Sequence, residues 1–246
     1  MRTLYYDCFS GISGDMFLGA LLDLGLDEAH LRKELSKLGL EGEYTLHVTK
    51  GLKKGISGTK VKVKLCTKWQ TRPLHHHVHR TYGDIEALIA QSSLSAGVKK
   101  RSLEMFWALA VAEGAIHGKE PREVGFHEVG AVDSIVDIVG AAIGLEALHV
   151  TRCLASRVEL GGGFVRCAHG LIPVPAPATA ALLKGVPVSF GRVEGETTTP
   201  TGAVIVKTTV GSFTPEPAMR IDAIGYGLGE RDFNIPNVLR LFLGDA

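Results

Sequence analysis

Apolar and polar positions change spacing several times along this chain, and each change marks an element. Thr3–Cys8 is a short apolar run with the look of a strand, and Phe9–Gly14 is a turn of mostly small residues. Asp15–Leu24 has the apolar spacing of a buried helix, stopped by Gly25. Asp27 is a good N-cap for a second helix running to about Leu38. Tyr44–Lys50 and Thr59–Leu65 alternate apolar and polar residues as paired strands do, joined across Gly51, Gly55 and Gly58. Helical spacing returns at about Tyr82–Ala90, Val98–His117 and Ala131–Leu148. The last hundred residues or so read differently, as short strands and helices broken by loops at Gly161–Gly163, Ile172–Ala178 and Glu194–Gly202. The glycine-rich stretch Gly225–Gly229 then precedes a final strand around Leu239. Pro175, Pro177 and Pro200 mark turns or helix starts rather than a domain boundary. These elements predict an α/β fold, a mixed sheet with packed helices, whose strand order the pattern does not fix.

Composition narrows the function classes. The 246 residues suffice for one large domain or two small ones, and one domain over 1–246 is the expectation. Lys and Arg number 27 against 26 Asp and Glu, which gives no reason to expect nucleic acid or an anionic membrane as partner. No apolar run approaches the ~20 residues of a membrane span, and the N-terminus does not read as a signal peptide. Cys8, Cys66, Cys153 and Cys167 are scattered and form no CxxC pair, so reduced thiols in a cytoplasmic protein are expected.

Four constellations could carry chemistry. The first lies between Arg72 and Arg80, where His75, His76, His77 and His79 fall within five positions. Neutral imidazole suits zinc, copper and nickel, so this loop, at about 68–80, reads as transition-metal capture; a solvated polar loop is the alternative. The second is DCFSGISGD, Asp7 to Asp15, in which Ser10, Gly11, Ser13 and Gly14 turn from a strand into a helix. Backbone amides at a helix N-terminus make an anion site, and Asp7 and Asp15 at its rim could hold a hard metal ion or a water. The Gly-Lys-Ser/Thr ending of a P-loop is absent, and a plain tight turn capped by Asp15 remains open.

The third constellation is FHEVGAVDSIVDIVG. His127 and Glu128 precede a helix on which Asp133 and Asp137 stand one turn apart, in an otherwise apolar stretch. Carboxylates in such a setting pair, bind metal or do proton work, unless Asp133 is exposed or a cap and Asp137 meets an arginine. The fourth joins Cys167 and His169 to Glu196 and to the turn Thr199-Pro200-Thr201-Gly202, which could hold a phosphate at the start of helix Ala203–Val210. Cys167 could be a nucleophile, a soft metal ligand or a small buried hydrophobe.

Taken in order, DCFSGISGDMFLGALLDLG, the histidine loop, AEGAIHG, FHEVGAVDSIVDI, GGGFVRCAHGLIPVPAPAT and TPTGA resemble the LarC family, the nickel-inserting cyclometallases of nickel-pincer cofactor synthesis in lactate racemase maturation. The resemblance runs from Leu4 to about Leu243. It implies nickel insertion into pyridinium-3,5-bisthiocarboxylic acid mononucleotide, with CTP consumed in the presence of Mn2+ or Mg2+. Loss of a ring proton then calls for a base, for which His127, Glu128, Asp133, His169 and Glu196 are candidates. Ser10–Gly14 or Thr199–Gly202 would cradle the phosphate, and the histidine loop, with Asp137, would handle nickel. Where the family commonly has His-Phe-His-Glu, this chain has Gly125-Phe126-His127-Glu128. Full-length relatives continue into a C-terminal domain that looks responsible for CTP, so that half is an expected partner and CTP hydrolysis by this chain alone is not expected. A homo-oligomer is the expected assembly. The competing readings are a nickel store or chaperone, and a metal-dependent phosphohydrolase.

Overall fold

The computed structural model describes residues 1–66, 80–126, 132–167 and 170–246. Its centre is β1 (Arg2–Asp7), which pairs antiparallel with β13 (Val238–Asp245) and parallel with β4 (Arg152–Ala155). Around this trio a seven-stranded mixed sheet runs in the order β11, β4, β1, β13, β12, β3, β2. Here β2 is Tyr44–Lys53, β3 Ile56–Leu65, β11 Ser212–Phe213 and β12 Arg220–Leu228. The chain places its first and last long strands, β1 and β13, side by side within this sheet.

The expected α/β class holds, and most predicted elements lie within a few residues of their expected ends. Helix α1 is Gly14–Asp23 and α2 is Glu28–Ser36, with the Asp27 carboxylate accepting from the amides of Ala29 and His30. Helices α3 (Tyr82–Gln91), α4 (Ala96–His117) and α5 (Val132–Ala147) follow. Further on, α6 is Pro177–Leu182 and α7 is Pro200–Thr209, each opened by its proline. The β2–β3 hairpin is longer than the alternation suggested. Its turn is only Lys54-Gly55, both at positive φ, while Gly51 and Gly58 pair across the ladder.

The largest departure is β12. The sequence pattern assigns no strand to the glycine-rich stretch Gly225–Gly229, yet Gly225 and Gly227 lie within β12, where α1 packs directly on its backbone. A Cβ on Gly227 would overlap the carbonyl oxygen of Met16, and one on Gly225 would overlap that of Ala20. The same economy joins α1 to α5, where added Cβ atoms on Gly140 and Gly144 would lie 2.8 Å from Leu18 and 2.6 Å from Leu21. Glycine at these positions is a packing device rather than a breaker.

Alternation sorts the central strands into two faces. Leu4, Tyr6 and Cys8, with Leu239, Leu241 and Leu243, enter one buried cluster together with the helices. Tyr5 and Asp7, paired in register with Phe242 and Arg240, occupy the opposite face. The three described cysteines, Cys8, Cys66 and Cys153, are free. Among the described residues no helix is long and apolar enough to cross a membrane.

Candidate functional site

The turn after β1 is the structural crossroads. Phe9–Ser13 leads straight into α1, and Ile12 forms a bridge with Thr198. The Ile12 carbonyl accepts from the Thr199 amide at 3.1 Å, and a Cβ on Gly202 would overlap that same carbonyl. The two glycine-bearing helix starts, α1 and α7, therefore abut. Gly11, at φ 81°, sits with its α-carbon against the backbone of Thr197, which only glycine permits.

The threonines of the second start are largely spent on structure. Thr199 caps α7 by accepting from the Gly202 amide at 3.2 Å. Thr197 and Thr198 donate to the Glu159 carbonyl at 2.8 and 2.6 Å, and Thr201 is buried. Glu159 itself is fully buried; its carboxylate accepts from the amides of Gly161 and Arg192 and from Ser189 Oγ. Glu196 lies in the two-residue strand β10 (Gly195–Glu196), and its carbonyl accepts from Arg231.

Two polar atoms at the crossroads have no partner among the described residues. Ser10 is wholly buried and its Oγ makes no hydrogen bond, and Asp137 Oδ1 is likewise orphaned. Asp137 stands on α5 against the first turn of α1, where an added Cβ on Gly14 would approach its own Cβ to 2.6 Å. Burial first, and then the negative charges of Asp15 and Asp133, push the Asp137 carboxyl well above the usual carboxylate range. Asp15 is also raised by burial, although Ser13 Oγ donates to it. Asp133, at the exposed start of α5, accepts from the Ser134 amide at 2.9 Å. The result is a carboxyl group at a helix–helix contact with no neutralising cation among the described residues. Groups placed so are unfavourable for stability and are characteristic of sites that exchange protons or bind cations.

The structure thus brings Ser10, Gly11, Ser13, Gly14 and Asp15 into one region with Asp137, and sets Thr199, Thr201 and Gly202 against the same turn. It places Asp7 otherwise: the Asp7 carboxylate takes two hydrogen bonds from Arg240, one of them from Nε at 2.9 Å. His75, His76, His77, His79, His127, Glu128 and His169 lie outside the described residues. Among the described residues no group of three or more His, Cys, Asp or Glu side chains is placed to hold a metal ion.

Sequence reading missed the arginines. Arg157, Arg192 and Arg240 line a cavity of about 660 Å³ with Tyr5, Phe9 and Phe242. A signal was available for Arg240. It interrupts the apolar strand Leu239–Leu243 at the position that alternation assigns to the same side as Phe242.

A strand that runs through a serine–glycine turn into a helix, with a buried carboxylate beside it, is a common place for ligands in α/β sheets. Comparison with known proteins is more specific. Residues 4–246 match the family model described as nickel insertion protein, and the chain belongs to that family. A relative from Wolinella succinogenes is 58% identical over 246 residues, all of this chain and 61% of its own length. The pyridinium-3,5-bisthiocarboxylic acid mononucleotide nickel insertion protein of Clostridium kluyveri is 54% identical over 249 residues, with 62% of that protein covered. The protein of the same name in Clostridium acetobutylicum is 50% identical over 270 residues, with 64% covered. The chain therefore spans about six tenths of the length of these relatives. No solved structure matches it.

Proposed function

We propose that this chain carries out nickel insertion into pyridinium-3,5-bisthiocarboxylic acid mononucleotide, yielding the nickel-pincer cofactor. Family membership and the names of the relatives support the substrate. The observation that carries the chemistry is Asp137, buried, orphaned at Oδ1 and crowded by Asp15 and Asp133.

The reaction exchanges protons for a metal ion. Two thiocarboxylate sulfurs and one ring carbon bond to Ni2+, and the ring carbon gives up its proton while its electron pair forms the Ni–C bond. A carboxylate or imidazole base is wanted to take that proton, and Asp137 is a carboxylate at hand. Burial and the neighbouring acids favour the protonated form of Asp137 over the ionised one. The approach of a divalent cation reverses that preference and leaves an ionised base next to the reacting atoms. Asp133 and Asp15 set the surrounding negative potential that draws the cation in. His127, Glu128, His169 and Glu196 remain further candidates for the base. His75, His76, His77 and His79 would gather nickel and pass it inward. CTP, with Mn2+ or Mg2+, and cooperation with a C-terminal half enter this reading through the resemblance to the LarC family.

The test mixes the chain with nickel, manganese, CTP and the bisthiocarboxylate mononucleotide, with and without the C-terminal part of a relative, and follows nickel-pincer product by mass spectrometry. Product formed only with both parts, and reduced at least a hundredfold by Asp137→Asn, is the expected result. Stoichiometric nickel binding with no product under either condition would turn the reading to a nickel store.

A further inference from the structure

The face of the sheet away from the core carries the cavity lined by Arg157, Arg192 and Arg240. Its volume, about 660 Å³, falls in the range of small-ligand sites. Its lining carries three arginines against a single acid, Asp7, so its charge favours an anion. That acid is already committed, since Arg240 holds it with two hydrogen bonds.

The three guanidinium groups are prepared to different degrees. Arg240 is fixed by Asp7 and lies over the Phe242 ring, 4.9 Å from its centroid, with Phe9 on another side at 5.9 Å. Arg192 is anchored by its amide on Glu159 and by a hydrogen bond to the Phe9 carbonyl at 3.2 Å. Arg157, directly after β4, is exposed, and among the described residues its guanidinium has no acceptor. An arginine in a cavity wall with unspent donors is suited to a phosphate or carboxylate, which it binds in a bidentate manner. The apolar part of the wall mixes proline and aliphatic side chains with aromatic ones, Tyr5 and Phe242 lying 6.1 Å apart between centroids, and the aromatic part accepts a flat ring. Phe9 belongs to the same turn as Ser10, Ser13 and Gly14, so the cavity and the acidic site share one stretch of backbone.

We infer that this cavity is the binding site of the pyridinium mononucleotide, its phosphate and ring acid groups distributed over Arg157, Arg192 and Arg240 and its ring against the aromatic wall. This assignment rests on the nickel-insertion reading for the identity of the ligand. A cytidine nucleotide shares the phosphate and the flat ring but has no acid group on the ring, so it fits a wall of three arginines less well.

Calorimetric titration of the chain tests the assignment, using the bisthiocarboxylate mononucleotide and nicotinate mononucleotide, an oxygen analogue with one ring acid instead of two. Wild type is expected to bind both, and Arg157→Ala to weaken binding by about tenfold or more, with Arg157→Lys restoring part of it. The corresponding nucleoside, which lacks the phosphate, should bind more weakly and should lose less from Arg157→Ala. A merely structural role for Arg157 would not produce that difference. Undiminished binding in the Arg157→Ala/Arg192→Ala double variant, absence of binding by wild type, or equally tight CMP binding abolished by the same substitutions would each overturn the assignment. The two readings fail separately. If the variants lose binding but the completed enzyme makes no nickel-pincer product, only the insertion reading falls. If the double variant makes product with unchanged KM, only the cavity assignment falls.

Discussion

Asp7 and Asp137 are both carboxylates beside the same turn, and their surroundings could hardly differ more. Asp7 projects from β1 to the open face and meets Arg240 from the neighbouring strand, which itself stacks on Phe242. Asp137 projects from α5 toward α1 and, among the described residues, meets two further acids and no cation. The first arrangement is a structural pair, held by charge and geometry. The second is energetically unfavourable, and a carboxylate kept in such a place is better explained by what it does than by what it stabilises. One turn, Phe9–Ser13, separates a basic, aromatic cavity from an acidic, helix-lined site.

That contrast can be broken experimentally, most severely at Gly14. Gly14→Ala forces a methyl group into the Asp137 side chain, and we expect about 3 kcal/mol of destabilisation by urea denaturation. Gly42→Ala, where an added Cβ meets nothing within 4 Å, should stay within about 0.5 kcal/mol. If the two variants unfold at the same urea concentration, the close approach of α1 to Asp137 is not real.

The next effect concerns pH. The Asp137 carboxyl is raised above its unfolded value, so the native state binds the extra proton. Its contribution to stability is fully present below the unfolded value of about 3.9 and is lost as pH rises through the higher folded value. Asp137→Asn removes this dependence. Its melting temperature should fall less between pH 4 and pH 8 than that of wild type, even as insertion is lost. Parallel profiles would mean that Asp137 is not the source of the dependence.

Asp7→Ala should act in the opposite sense, removing a partner and leaving Arg240 unneutralised. Because Arg240 is 39% exposed, water shares the burden, and about 1–2 kcal/mol is the expected loss. Nicotinate mononucleotide titration of this variant should show weaker binding, since Arg240 is no longer held in place. The smallest effect is at Thr199→Ala, where loss of the cap on α7 should cost about 1 kcal/mol in thermal unfolding and leave the pH profile unchanged.

Much of the fold was legible because its causes are local. Asp27 caps α2, and Pro177 and Pro200 open α6 and α7, through contacts a few residues away in sequence. β12 was not legible as a strand, since its glycines answer to α1, some two hundred residues earlier, and not to their neighbours. Within the site, Asp133 and Asp137 were visible as acids in an apolar stretch, but Asp15 joined them only through the packing of α1 on α5. The arginine cavity was invisible, because it takes β1, β13 and the segment after β4 to assemble it.

The sequence by itself determined the α/β class, most element positions, the serine–glycine turn, the two acids of α5 and the resemblance to nickel-insertion proteins, all of which are written in residue type and short-range spacing. The tertiary structure alone decided that the first and last long strands lie side by side, that Asp7 is neutralised while Asp137 is not, and that three distant arginines share one wall. Charge pairing and close backbone approach depend on distances in space, and a chain's local pattern does not encode which distant segment will arrive there.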